Sequence, residues 1–276
     1  MTYFLDLFKP IHANTIALFA KLFSALWLVM LLVHFKQQLR FFKTEPIRIS
    51  GNPQKLLGIY QLPLISPAWF ATFGLILLGS LLAITLGFLP RFFVLIALVC
   101  YFPYFNSIQS LAHIQRKTNL AAFVLLVLLV SPSLNTPLNL PTSNWEVLLI
   151  KIGMAQMYLS AGLHKLRSSG LKWANGAALQ AYLAENHFWN GYKMGWLVAQ
   201  HRGLCCALSV WALCFEFTFW LILFFPSLTV FYILCSFCFH LSVQLTVRVH
   251  YLIYLSPVYM IFWRDFVSLF VNSPIF

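Results

Sequence analysis

Val147-Leu148-Leu149-Ile150-Lys151-Ile152-Gly153-Met154-Ala155-Gln156-Met157-Tyr158-Leu159-Ser160-Ala161-Gly162-Leu163-His164-Lys165-Leu166 is an apolar run that ends on an ionisable pair, His164 and Lys165. As a helix it reaches about 30 Å, the thickness of a bilayer's hydrocarbon core. A lysine near the centre of such a helix opposes membrane entry by about 2.5–3.5 kcal/mol, and by less towards its ends. Lys165 therefore has two readings: a functional group held inside a helical bundle, or an anchor whose ammonium snorkels to the headgroups.

The rest of the chain has the same character. Of 276 residues, 61% are hydrophobic and 9% charged, and the mean hydropathy of +0.82 lies outside the soluble globular range. The net charge of +12 comes from basic residues scattered between apolar runs, a pattern that fits membrane orientation and not a nucleic-acid face. The six cysteines lie in or beside apolar runs, and Cys235-x-x-Cys238 within one such run has neither the loop nor the partner pair of a zinc or redox site. They read as buried core cysteines, and no metal site is expected. The N-terminus carries no short apolar core with a small-residue cleavage site, so the first span is expected to anchor itself.

The chain divides into about eight spans: Ile11–Phe35, Trp69–Leu89, Phe92–His113, Leu120–Val130 with its flanks, the run through Lys165, Gly203–Phe225, Leu228–Val247 and Tyr251–Phe270. The expected fold is all-α, a polytopic transmembrane helical bundle forming one integral membrane domain over residues 1–276. A short interfacial helix, Ala177–Leu183, follows the fifth span, and Trp173, Tyr182, Phe188, Trp189, Tyr192 and Trp196 around it suit an interfacial belt. Lys36–Pro67 is the longest polar connection, with Gly51-Asn52-Pro53 as a turn signal. Asn106, Ser110, His113 and Lys117 share a helical face. They mark either a helix leaving the membrane or a contribution to a polar interior. Basic residues concentrate in the odd-numbered connections, which places both termini outside by the positive-inside rule.

Two more apolar runs carry polar groups that a bilayer would not tolerate unpartnered. Residues four apart share a helical face, so Ser236, His240, Gln244 and Arg248 form one polar stripe. Glu216 lies in the middle of the run Leu204–Phe225, where a carboxylate either finds a partner or takes up a proton. The economical arrangement gathers Lys165, Glu216, His240 and Arg248 in one polar interior, with Tyr158 and Gln244 supporting it.

Ala161-Gly162-Leu163-His164-Lys165-Leu166, then Trp173-x-x-Gly176, then Phe239-His240-x-x-x-Gln244-Leu245 and Ser256-Pro257 together resemble the membrane domain of the vitamin K-dependent gamma-carboxylase family, called in bacterial relatives the horizontally transferred transmembrane domain. The resemblance covers Phe102 to Tyr259 and is strongest in Tyr158–Leu183 and Phe239–Pro257. It implies a multi-pass protein of a bacterial inner membrane that uses vitamin K hydroquinone or a related naphthoquinol, with dioxygen and carbon dioxide as co-substrates. A strong base made from the quinol would deprotonate carbon in a small peptide, protein or other substrate, and carbon dioxide would add there.

On this resemblance Lys165 matches the base that deprotonates the quinol, His164 a neighbouring basic residue, and His240 a group that hydrogen-bonds a quinone oxygen or an oxyanion. Trp173, Gly176 and Trp189 fall where the quinone would be held. A lysine acts as a base near neutral pH only if burial or a neighbouring cation lowers its ordinary pKa of about 10.4 by several units. His240 also reads as a bundle histidine satisfied by a neighbouring helix, Glu216 as the holder of a buried cation, and the tryptophans as packing and belt residues. The family's histidine near the start of the fourth span has no clear match, this chain offering His113 and Asn119. A second class of function stands beside the enzyme. Compact proteins resembling sporulation-delaying toxin maturation factors work with a small secreted peptide, and such a scaffold or immunity role needs no lysine base.

Overall fold

The structure is a computed structural model of the chain and describes residues 11–44, 66–112, 119–134, 141–142, 144–191, 193–247 and 251–263. The described residues are almost wholly helical. The exception is one antiparallel pair of two-residue strands, β1 (Ile11–His12) and β2 (Pro141–Thr142), with Ile11 opposite Thr142 and His12 opposite Pro141. Five helical segments among the described residues are long and apolar enough to cross a bilayer: Thr15–Lys36, Pro67–Leu86, Trp145–Ser169, Arg202–Leu223 and Pro226–Val247. Two further apolar helical stretches, Pro90–Phe105 and Asn119–Val130, are shorter. These segments fit an all-α membrane protein.

The chain forms two compact units. One comprises Phe8–Ile150 with Tyr254–Met260 and is built on α1 (Ala13–Thr44), α2 (Pro67–Leu86), α3 (Pro90–Ala112) and α4 (Asn119–Val130). Helix α2 starts where Ser66 accepts the backbone N–H of Trp69 and Pro67 occupies the first turn, and it stops at Gly87, whose φ of 78° is the left-handed cap. Along it Leu77, Leu81 and Ile84 are buried while Leu75, Leu82 and Leu86 are exposed. A wholly apolar helix with one exposed stripe is what lipid on that side would select. The centre of the unit is aromatic. Phe70 stacks on Tyr104 at 4.5 Å, and Trp27 stacks on Phe105 at 5.9 Å and meets Phe23 at 5.4 Å.

Helix α5 (Trp145–Ser169) begins in this unit and continues in the other. Its first turn carries the fully buried Glu146, where the helix dipole favours a carboxylate. The hydroxyls of Ser131 and Ser133, in the turn after α4, both donate to Glu146 Oε1, at 2.8 and 2.6 Å. Arg91 donates to the Ser131 carbonyl at 2.5 Å.

The second unit comprises Met1–Leu7, Lys151–Ile253 and Ile261–Phe276. After α5 come α6 (Leu171–Ala174), α7 (Ala177–Asn190), α8 (Lys193–Ala199), α9 (Arg202–Thr218), α10 (Thr229–Val247) and α11 (Tyr251–Tyr259), the last shared with the first unit. On α10, Tyr232, Ser236 and His240 are buried while Phe231, Leu234, Leu241 and Leu245 are exposed, so the polar stripe faces inward and the apolar one outward.

Several boundaries differ from the sequence expectations. The first span is expected from Ile11, but Ile11 and His12 pair as a strand, and α1 runs past Phe35 to Thr44 because no glycine or proline interrupts it. At 32 residues, about 48 Å long, it exceeds the hydrocarbon core. The helix expected over Ala177–Leu183 continues to Asn190, where Gly191 at φ 70° caps it by donating to the His187 carbonyl. Helix α9 tightens after Thr218 into a 3-10 segment, Phe219–Leu223. Helix α4, with 12 residues, is about 18 Å long and too short to cross the core alone. Residues 264–270 of the expected last span lie outside the described residues, and so, elsewhere in the chain, do His113, Lys117 and Arg248.

Candidate functional site

Gly162, Lys165 and Tyr158 share one face of α5, being separated by three and four residues. Gly162 is buried, and a Cβ there would lie 3.3 Å from Glu216 Cβ and 3.2 Å from Phe217 Cε2. The absent side chain lets α5 and α9 run close together. One turn further along that face, the Lys165 ammonium forms an ion pair with Glu216 Oε1. The Glu216 side chain is 3% exposed and that of Lys165 19%. Taking both charges out of water opposes folding by several kcal/mol each, an amount recovered only where geometry and further hydrogen bonds are good.

Aromatic faces supply part of that recovery. Lys165 Nζ lies 5.3 Å from the ring centre of Trp173 and 5.4 Å from that of Phe239, within cation–π range. Trp173 belongs to α6 and Phe239 to α10, so the ammonium is bounded by the α9 carboxylate and by rings from two other elements.

Phe239 leads directly to the second part of the site. The Tyr158 hydroxyl lies 2.8 Å from His240 Nε2 and 2.7 Å from Ser236 Oγ, all three residues being buried. The Tyr158 ring packs on Phe215 at 5.0 Å and on Phe219 at 4.4 Å, and Phe215 in turn meets Phe239 at 5.5 Å. This packing fixes the phenol against α10.

The tryptophan is positioned by the glycine three residues on. Gly176 is buried at φ 78°, and a Cβ there would meet the backbone of α9, lying 2.7 Å from the Cys205 carbonyl carbon and 2.8 Å from Cys206 Cα. Only glycine both adopts that conformation readily and allows that approach. The Trp-x-x-Gly spacing thus seats α6 against the start of α9, in the same unit as the ion pair.

The structure therefore joins Lys165, Glu216, Tyr158, His240 and Trp173, with Gly176 as the support of the last. His164, one residue before Lys165 and about 100° round the helix, is exposed. Gln244 is half-buried one turn beyond His240. Trp189 lies in α7, its side chain outside the described set, and Arg248 lies wholly outside it. Trp196 of the expected belt stacks on His187 at 5.1 Å. One participant is not singled out by the sequence reading: Phe239, which stands inside the quoted Phe-His block and is the second ring over Lys165. The other buried acid, Glu146, belongs to the other unit and takes no part in the site.

An ammonium paired with a carboxylate beside aromatic faces can bind a polar group of an otherwise apolar ligand, and it can act as a base once its proton has moved to Glu216 or away. The Tyr158–His240 hydrogen bond offers a second proton-carrying pair nearby. Among the described residues no group of three or more His, Cys, Asp or Glu is placed to hold a metal ion. No family model matches the chain, and neither a curated protein nor a solved structure matches it.

Proposed function

We propose that the protein is a membrane-embedded enzyme of the vitamin K-dependent carboxylase type, with Lys165 as the base towards a reduced naphthoquinone. The observation that supports this reading is the buried pair of Lys165 and Glu216 against Trp173 and Phe239. Lys165 takes the hydroxyl proton of the quinol, Glu216 holds the lysine in place, and the two rings flank the amine. Tyr158 orients His240 through its hydroxyl. When bound, the quinol with dioxygen supplies the strong base, one oxygen atom ending in the quinone epoxide and the other in water, while the deprotonated carbon takes up carbon dioxide. The same reading takes Pro90–Phe105, Asn119–Val130 together with its flanks, and the segment opening at Tyr251 as three further crossings, about eight in all, of a bacterial inner membrane.

The test is oxygen uptake by membranes containing the protein, supplied with a reduced naphthoquinone. Uptake that depends on the protein and yields epoxide is expected. Its absence, together with a co-purified small peptide in place of a quinone, would overturn the enzyme in favour of a peptide-maturation scaffold.

A further inference from the structure

Residues 170–201 join two segments long and apolar enough to cross a bilayer, Trp145–Ser169 and Arg202–Leu223, and fold as α6, α7 and α8. One side of this connection is a core. Leu183 of α7, Ala199 of α8 and Cys205 of α9 are buried together, with Leu179, Trp196 and Val198 packed against them. Close approaches hold it in place: Gly176 lies against α9, and a Cβ at Gly195 would stand 2.5 Å from the Thr246 carbonyl oxygen of α10. Gln180 Nε2 also donates to the Ala199 carbonyl at 2.7 Å, tying α7 to the end of α8.

The rest of its surface is not that of a connection standing in water. Leu171 and Phe188, at 82% and 76%, are the two most exposed large hydrophobic residues among those described, ahead of any on the spans themselves. Met194 and Leu197 on α8 are more than half exposed as well. Large apolar groups gathered at a surface mark a contact with something else. Exposed cations stand among them: Arg167 at the end of α5, Lys172 on α6, Lys193 on α8 and Arg202 opening α9, with α6, α7 and α8 all packed on α9. Among the described residues no carboxylate pairs with any of the four, and the one acid of the connection is Glu185. Arg91 of the other unit, by contrast, gives its guanidinium to the Ser131 carbonyl.

Depth decides between a lipid and a water-borne partner. Leu171 stands two residues beyond Ser169, at most about 7 Å of chain past the end of a span, which keeps it at the level of the headgroups. That layer offers acyl carbon on one side and phosphate charge on the other, and amphipathic basic helices lie in it. We infer that α6, α7 and α8 form a platform sunk in the headgroup layer that binds anionic phospholipid. Leu171, Phe188, Met194 and Leu197 enter the acyl boundary, and Arg167, Lys172, Lys193 and Arg202 attract the phosphates. The positive-inside reading puts this connection on the cytoplasmic side, whose leaflet carries the negative potential. The inference stands apart from the chemistry at Lys165.

Two measurements on the purified full-length protein test it. In the first, the protein is equilibrated in detergent with equal amounts of phosphatidylglycerol and phosphatidylcholine of the same acyl chains, and mass spectrometry counts the lipid retained. Wild type should prefer phosphatidylglycerol. Replacing Lys172 and Lys193 together (Lys172→Gln, Lys193→Gln) should cut that preference by about fivefold for each charge removed, the scale for one cation at a membrane surface. Equal retention by wild type, or an unchanged preference in the double variant, would overturn the anionic site. In the second, Leu171→Cys, Phe188→Cys and Glu185→Cys are placed in phosphatidylglycerol nanodiscs, which leave both faces open, and treated with a charged maleimide. Glu185→Cys should gain label above wild type, and the other two should not. Labelling of Leu171→Cys and Phe188→Cys as fast as Glu185→Cys would put the platform in water and replace the lipid by a soluble protein partner.

Discussion

Lys165, near the end of α5, and Glu216, on α9, stand 51 residues apart in the chain and form an ion pair whose carboxylate is buried and whose ammonium is largely so. The pair resolves the cost that each residue carries alone in an apolar segment, because neither charge is left to hydrocarbon. It also constrains what the lysine can do. While Glu216 holds it, the nitrogen is an ammonium bound through its own hydrogen, so any base role requires that the proton shared by the pair be moved.

Glu216 should therefore be needed for stability as well as for the site. Replacing it by leucine leaves the Lys165 ammonium buried and unpaired, and breaking a buried pair this way lowers stability by about 3–5 kcal/mol. Glu216→Gln retains an acceptor oxygen and should be milder. Thermal unfolding in detergent ranks the three proteins; equal midpoints would show that Glu216 is not the lysine's structural partner.

The Tyr158 hydroxyl serves two buried partners at once. Tyr158→Phe keeps the ring packed on Phe215 and Phe219 but withdraws the hydroxyl from Ser236 and His240. A loss of about 1–3 kcal/mol is expected. Ser236→Ala should destabilise wild type more than it destabilises Tyr158→Phe, because in the latter the shared bond is already gone. Strictly additive losses in that double-mutant cycle would show that the two side chains act independently.

How much of this was legible beforehand depends on the kind of signal. Glu216, Lys165 and His240 stand out because a charge or imidazole in an apolar run demands a partner, and the residues four apart on α10 do face inward. Which partner each takes was not legible, since pairing across 51 residues depends on how closely two helices approach, and that is set by Gly162. His164 is exposed and lies off the face that carries Lys165, its position in the turn carrying it about 100° round the helix. Helix ends were misjudged where hydropathy changed but helical propensity did not, as in α1 beyond Phe35 and α7 beyond Leu183. Glu146 carries little signal in the sequence because a single acid at a helix start is common, and its serine partners lie 13 and 15 residues away in the preceding turn.

Gly176 and Gly191 make a matched pair for testing the seat of Trp173. Both have a left-handed backbone, with φ of 78° and 70°, but a Cβ at Gly191 meets nothing within 4 Å whereas one at Gly176 runs into the backbone of α9. Gly191→Ala should cost only the conformational strain, about 1–2 kcal/mol. Gly176→Ala should cost clearly more and should also displace Trp173. Unfolding midpoints compare them, and equal losses would mean that α6 does not depend on close approach to α9.

In the other unit, Glu146→Ala should leave the Ser131 and Ser133 hydroxyls without their shared acceptor, with a loss of about 1–3 kcal/mol for each buried group so abandoned. Glu146→Gln keeps an oxygen in position and should recover most of it. The check is again thermal unfolding, supplemented by limited proteolysis next to Ser131 and Ser133, whose hydroxyls Glu146 holds. Resistance to cleavage identical to wild type in the alanine variant would count against that role.

Lys165 itself provides the sharpest division between base and anchor. Arginine preserves charge and length, and it can keep both the bond to Glu216 and the contact with Trp173, so Lys165→Arg should fold with near-native stability. A guanidinium does not lose its proton in proteins, however, so it cannot act as a base. Quinol-dependent oxygen uptake should accordingly vanish in Lys165→Arg and in Lys165→Ala alike, while the arginine variant still folds and binds the quinone. A small primary amine added to the alanine variant should restore part of the rate by entering the vacated space as a free base, with the gain rising as pH approaches the amine's own pKa. If the arginine variant consumes oxygen as wild type does, Lys165 is an anchor and the base lies elsewhere, with the Tyr158–His240 pair the next to be tested.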